Sequence, residues 1–325
     1  MISRRTTMSG AALAAAGLLA TPALAQAFPQ RPIRFISPFP AGGIIDLVIR
    51  AVGDDLASEL GQPVVVDLRT GAGGMIAAQN LAQSPPDGHS WLLASLGHVV
   101  APLLTPQPFH PVEAFQALAK VSHAVSVLAV PAASPIGSMA ALVAAARAEP
   151  GKLNYLRPGH GSFAHMAVEV IQRAQGIRLT AVDYRGLPPG IIDLVAGRLD
   201  VAVLAAGVAA PHLREGRLRA LAAVGSTRAH ELPELPTLGE QGIPGADVDS
   251  WYIAIAPRGV PEPVLTRIGA AWQAVLVRPS VQEKLRMVGT IPSAPMAPAE
   301  AQAMLEREHA TYATLVREAN IRAEG

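Results

Sequence analysis

Apolar, β-prone runs of four to six residues alternate with helically periodic stretches along nearly the whole chain. The runs fall at 33–37, 63–67, 90–95, 126–130, 153–155, 179–183, 200–204, 218–223 and 251–256. Between them, Ile45, Val48, Val52, Leu56 and Leu60 share one helical face, as do Met139, Leu142, Val143 and Ala146. Gly61-Gln62-Pro63 and Pro150-Gly151 stop these helices. The alternation predicts an α/β architecture with largely parallel sheets, and the two prolines within 232–236 predict an extended loop.

Three of the strand-to-helix joints are rich in glycine. Residues 38–43 read PFPAGG and open an apolar helix. Residues 71–74 read GAGG after Val64-Val65-Val66, and residues 159–162 read GHGS after Leu153-Asn154-Tyr155. A strand, a turn without Cβ atoms and a helix N-terminus aim unpaired backbone N–H groups at one point, where an anion fits. The simpler alternative is that these are plain βα turns using glycine for close packing.

The first residues belong to a different kind of segment. Arg4-Arg5 precede an apolar stretch at 11–20 that is too short to span a bilayer, and Ala23-Leu24-Ala25 offers small residues for cleavage. Residues 1–25 therefore read as a signal peptide, with the mature chain starting near Gln26. Arg4-Arg5 also suit a twin-arginine signal, although Thr6-Thr7-Met8 matches its tail poorly, so either export route stands. Removing two arginines and no acids turns the formal net charge from +1 to −1. That balance, with few aromatic residues, argues against nucleic acid as a partner. The chain has no cysteine, which excludes disulfides, thiolate metal sites and thiol catalysis.

Enzyme signatures mostly fail. Gly71-x-Gly73 lacks the third glycine of a dinucleotide fingerprint, and none of Lys120, Lys152 and Lys284 follows a glycine in Walker spacing. No G-x-S-x-G, S-x-x-K or H-E-x-x-H occurs. Ser162 and His165 could be read as nucleophile and base, but at a helix start they serve more simply as an anion donor and its neighbour. The nine histidines are scattered, with His160/His165 and Glu306/His309 the nearest pairings, and neither makes a metal site. No cofactor, metal or catalytic residue is expected.

The short motifs, taken in order, resemble one family. PFPAGG, then GQPVVV and GAGG, PDGHSWLLAS, PGKLNY and GHGS, VDYRG, AGRLDVAV, GRLRALAA and LPTLGEQG run from about Arg31 to the C-terminus. They are similar to the extracytoplasmic substrate-binding proteins of tripartite tricarboxylate transporters, the Bug family. The resemblance implies a type II periplasmic-binding fold: two α/β domains, a central ligand cleft and two hinge crossings, here near 127–130 and 250–254. The first domain would combine 26–128 with 254–325, and the second would span 129–253.

Carried over motif by motif, the ligand would meet Ala41, Gly42, Gly43, Ser95 and His98 on the first domain. On the second it would meet Gly159, Gly161, Ser162, His165, Tyr184 and Arg185. Amide and hydroxyl donors to a charged acceptor contribute roughly 1.5–3 kcal/mol each, so a few suffice for the ~8 kcal/mol of a micromolar ligand. The implied function is periplasmic capture of a small organic mono- or dicarboxylate for the membrane permease subunits of a tripartite transporter, by a monomer. A ligand sensor on the same fold and a secreted α/β hydrolase using Ser162 and His165 are the alternatives.

This chain departs from the family pattern chiefly by replacing polar residues with apolar ones. Ile45 stands where Thr is common, Leu187 where Ser is, Leu204 where Asp is, and Arg157 where Ser precedes the second-domain glycine loop. If Ile45, Leu187 and Leu204 reach the cleft, the pocket has lost the carboxylate that would pair with an ammonium group. Arg157 and Arg185 would then be the cations facing the anion-binding amides, matching a ligand charged at both ends.

Overall fold

The computed structural model describes residues 28–225, 227–229, 232–243, 250–318 and 321. The expected signal peptide, residues 1–25, and its cleavage position near Gln26 lie outside the described residues. The chain begins with β1 (Ile33–Ser37), α1 (Ile44–Leu60), β2 (Val64–Leu68), α2 (Met75–Ala82), β3 (Ser90–Ala94), α3 (Leu96–Leu104) and β4 (Phe115–Ala124). Helix α1 buries Ile45, Val48, Val52, Leu56 and Leu60, the stripe that its spacing predicts, and ends at Gly61 with φ 73°.

A second group of elements follows: β5 (Ser126–Pro131), α4 (Met139–Ala148), β6 (Asn154–Arg157), α5 (Phe163–Gln175), β7 (Thr180–Asp183), α6 (Leu187–Val195), β8 (Ala202–Ala205), α7 (Ala206–Arg214) and β9 (Leu218–Val224). The chain then returns through β10 (Ser250–Pro257), α8 (Glu262–Leu276), α9 (Pro279–Met287), β11 (Ile291–Pro292) and α10 (Pro298–Glu318). The first sheet has the order β11-β4-β10-β3-β1-β2. The second has the order β8-β5-β9, and the pair β6-β7 joins it through a bridge between Tyr155 and Val201.

Pairing is mixed rather than largely parallel. Strand β1 is parallel to β2 and β3, and β6 to β7, whereas β10 is antiparallel to β3 and β4, and β5 to β8 and β9. The reversed pairings involve the strands next to the passages between sheets, where no crossover helix brings the chain round into parallel register. The first passage is Val125, between β4 and β5; Ser126 already pairs with Ala205 and Val224 in the second sheet. The second lies before Ser250, which pairs with Ala124 in the first sheet. By strand pairing, the first passage comes just before 127–130, and Ser250, at the start of the expected 250–254 crossing, already belongs to the first sheet.

Each sheet is packed on both faces. Alternation sends Phe35 and Trp91 to one face with Val48 of α1 and Trp272 of α8, and Ile36 and Leu92 to the other with Leu81 of α2 and Leu305 of α10. In the second sheet Leu128 and Val203 face α4 and α5, while Val127 and Leu204 face α6.

Candidate functional site

The space between the two sheets holds a cavity of about 80 Å³. Its wall is built from the carboxyl ends of strands and the starts of the helices that follow, where open α/β sheets place ligands. From α1 come Gly43, Ile44 and Ile45, and from the start of α3 comes Ser95. Across the cleft, α5 gives Ser162, Phe163 and Ala164, α6 gives Leu187, and Ala205 caps α7. Five helix N-termini thus border one small volume; each carries about half a positive charge, and those of α1, α3 and α5 add first-turn N–H groups without intrahelical acceptors.

The amides of the first loop are already partly engaged. Gly42 N–H donates to Asp46 Oδ2 at 2.9 Å, and Gly43 N–H to Pro40 O at 3.2 Å. Asp46 is buried in the first turn of α1 and also accepts from Arg50 Nε at 3.0 Å. This is a carboxylate reaching back to the helix start, as in a capping box. Of the expected trio, Gly43 lines the cavity, while Ala41 and Gly42 lie exposed outside its lining; the first-turn amides open to a ligand there are those of Ile44 and Ile45. The signal for this arrangement was Asp46 itself, three residues beyond the glycines.

On the facing side, Gly159 and Gly161 close the cleft rather than line the cavity. A Cβ on Gly159 would lie 2.6 Å from Gly73 Cα, and one on Gly161 would lie 2.6 Å from Ala101 N. Their φ values of 147° and 70° also favour glycine. His165 is buried behind them, its Nδ1 accepting from Gly161 N–H at 3.0 Å. Burial, with the charge of Arg157 second, pushes its pKa down to about 4. Ser162 Oγ accepts from His165 N–H at 3.3 Å, so the hydroxyl caps α5 and the ring nitrogen nearest the loop is occupied. The two side chains are not hydrogen-bonded as nucleophile and base.

The other expected residues are placed apart from the cavity. His98 is buried with Nε2 2.8 Å from Pro111 O, its ring edge-on to Phe115, and burial lowers its pKa to about 4. Tyr184 hydrogen-bonds through its hydroxyl to Asp193. Arg157 makes a two-pronged pair with Asp183 at 2.7 and 2.9 Å and borders a separate outer pocket with Glu169, Arg173 and Thr180. Its guanidinium holds the Asp183 carboxyl below the usual carboxylate range. Arg185 sits at the cleft margin beside Gly73 and Gly159. Leu204 packs into the core beside α6, whereas its neighbours Val203 and Ala205, on the opposite face of the strand, reach the cavity. Ile45 and Leu187 do line it.

Sequence reasoning missed Phe39, Pro158, Phe163 and the floor residues Ser126, Ser250 and Tyr252. The floor lies where the chain passes between sheets. There Ser250 Oγ is 3.2 Å from Tyr252 Oη, and burial pushes the Tyr252 phenol up to about 12, keeping it neutral. Among the described residues that line the cavity, none is charged.

The fold has relatives among known proteins. The model of the tripartite tricarboxylate transporter family receptor matches residues 48–321. A Pseudomonas sp. (strain P51) protein, described as a UPF0065 protein in the tcbD-tcbE intergenic region, is 36% identical over 290 residues, 89% of this chain and 86% of that protein. Protein BugT of Bordetella pertussis is 32% identical over 320 residues, 98% of each. The solved structure of periplasmic binding protein BugD superposes with a TM-score of 0.86 at 28% identity, covering 91% of this chain and 100% of that one. An R. palustris protein solved with adipate gives 0.86 at 31% identity, covering 91% and 99%. MatC of Rhodopseudomonas palustris with bound malate gives 0.84 at 29%, covering 89% and 100%. With a two-domain α/β fold, a cavity between its sheets and a family match over most of its length, the chain belongs to the tripartite tricarboxylate transporter family of periplasmic solute receptors.

Proposed function

We propose that this protein captures a small organic carboxylate in the cavity between its domains and presents the closed form to membrane permease subunits. The observation that carries the reading is the meeting of five helix N-termini on a cavity whose described lining has no charged side chain. Such a wall neutralises an anion with fixed dipoles and amides, and it offers a cation no matching group. Adipate and malate, present in the solved structures of related proteins, are small organic carboxylates. The mature chain would act in the periplasm after removal of residues 1–25.

Capture needs no covalent step. The ligand enters an open cleft, its carboxylate meets the first-turn amides of α1 and α5 from opposite sides, and rotation about the two passages brings Gly159 onto Gly73 and Gly161 onto Ala101. Calorimetric titration of ligand-stripped protein with a panel of carboxylates, and with amines of matched size, tests this. Saturable binding of at least one carboxylate and of no amine is the expected result. A panel of carboxylates that all fail to bind would overturn it.

A further inference from the structure

We propose that the ligand carries a single carboxylate on an apolar body, and that the cavity discriminates against a second carboxylate. This rests on the receptor reading and narrows it. The cavity's donors are unevenly distributed. Gly43, Ile44 and Ile45 on one side, Ser95 beside them and Ser162 to Ala164 opposite form one polar region, shared by both domains. One carboxylate held there bridges the cleft and satisfies both N-termini.

The remaining helix starts are poorly equipped to hold another. Helix α6 begins Leu187-Pro188-Pro189, and its two prolines remove two of the N–H groups that a first turn normally offers. In α7, Ala206 N–H already donates to Val125 O at 2.9 Å. The next residue, Gly207, is pressed against Gly289, where a Cβ would lie 2.2 Å from the opposing Cα. Neither cation of the second-domain loops compensates. Arg157 is paired with Asp183 on the outer side, and Arg185 stands at the cleft margin.

The rest of the wall is hydrocarbon, with Phe39, Leu187, Val203 and Ala205 facing inward and the Tyr252 ring on the floor. A second carboxylate against these groups would give up its hydration without a charged or multiple-donor partner. The floor hydroxyls of Ser126, Ser250 and Tyr252 suit a neutral polar group instead, such as a hydroxyl or a carbonyl. The volume of about 80 Å³ has room for roughly half a dozen water-sized groups, which suits the body of a short branched aliphatic acid.

The test compares pairs matched in size and shape by titration calorimetry on ligand-stripped mature protein. The pairs are 4-methylpentanoate against succinate, and 5-methylhexanoate against glutarate. In each pair a terminal dimethyl group replaces a carboxylate. The monocarboxylate should bind at least about tenfold more tightly in whichever pair binds, a gap of about 1.4 kcal/mol. A dicarboxylate that binds as tightly as its partner overturns this inference and leaves the receptor reading intact. Failure of every carboxylate, including shorter and longer acids, sinks the receptor reading itself. Leu187 is half-buried on the cavity wall, so Leu187→Arg should fold and shift the ratio toward the dicarboxylate by at least about tenfold. An unchanged ratio in that folded variant would also overturn the inference.

Discussion

Gly207 at the start of α7 and Gly289 just beyond α9 meet backbone to backbone: a Cβ on Gly207 would lie 2.2 Å from Gly289 Cα, and one on Gly289 2.1 Å from Gly207 Cα. The two residues belong to elements of different sheets, and Gly207 follows Ala206, which is hydrogen-bonded to Val125 at the first passage. The contact therefore lies beside the axis about which the domains would turn. No rotamer change can relieve an overlap between main chains.

Gly207→Ala should consequently act as a wedge. Expected outcomes are a loss of about 1–3 kcal/mol in unfolding free energy and a liganded state that scatters as a less compact particle than the liganded native protein. Denaturant melts and small-angle scattering at saturating ligand measure both. Native values for the two would show that the contact does not constrain closure.

Asp46→Ala removes the acceptor of Gly42 N–H and the partner of Arg50 at a buried position. The expected cost is about 1–3 kcal/mol of stability, with weaker ligand binding because the first turn of α1 is less firmly placed. Asp46→Asn keeps an acceptor for the amide and should recover part of both losses. The check is a denaturation midpoint and a titration on each variant; equal effects of Ala and Asn would contradict it.

Acid should weaken the fold before carboxylates titrate. His98 and His165 have pKa values pushed down from 6.5 to about 4, chiefly by burial. The unfolded chain takes up their protons first as pH falls. Stability is thus full above about pH 6.5 and declines between there and pH 4, by an amount on the order of 3 kcal/mol per histidine. Asp183, whose pKa is lowered mainly by Arg157, adds a further loss only below its ordinary value of 3.8. Unfolding titrations at pH 7.5 and 5 should show this slope, reduced in His165→Asn, whose amide oxygen can still accept from Gly161 N–H. A flat profile between those pH values would refute it.

Arg157→Met should lower the melting temperature, since it leaves Asp183 without its bidentate partner. It should leave the order of ligand preference unchanged, because the guanidinium borders the outer pocket and not the cavity. Calorimetric ranking of the same acids before and after the substitution decides the point. A reordered series would place Arg157 in ligand recognition after all.

Much of the architecture was legible because it rests on local periodicity. The stripe of α1, the stop at Gly61 and nine of the strands follow from spacing alone. Strand β4 did not. Phe115–Ala124 is the longest strand among the described residues, pairing with β10 on one side and β11 on the other, yet four of its seven buried positions are alanine or serine, which carry little β preference. Strand direction was equally hidden, since it depends on where distant segments return. In the site, the glycine loops announced an anion seat, but Ser126 and Ser250 are single serines far apart in the chain and belong to no motif. Only the adjacent passages bring them together. The fate of Leu204 was a question of strand parity, which a shift of one residue reverses.

The bond from Gly42 to Asp46 has a consequence for how fast and how selectively a ligand is taken up. With its own carboxylate supporting the first loop, the chain sets the α1 end of the seat without a ligand, so capture need not order that loop. Affinity differences between ligands would then report the fit of their bodies to the cavity wall, and uptake would be timed by the opening of the cleft.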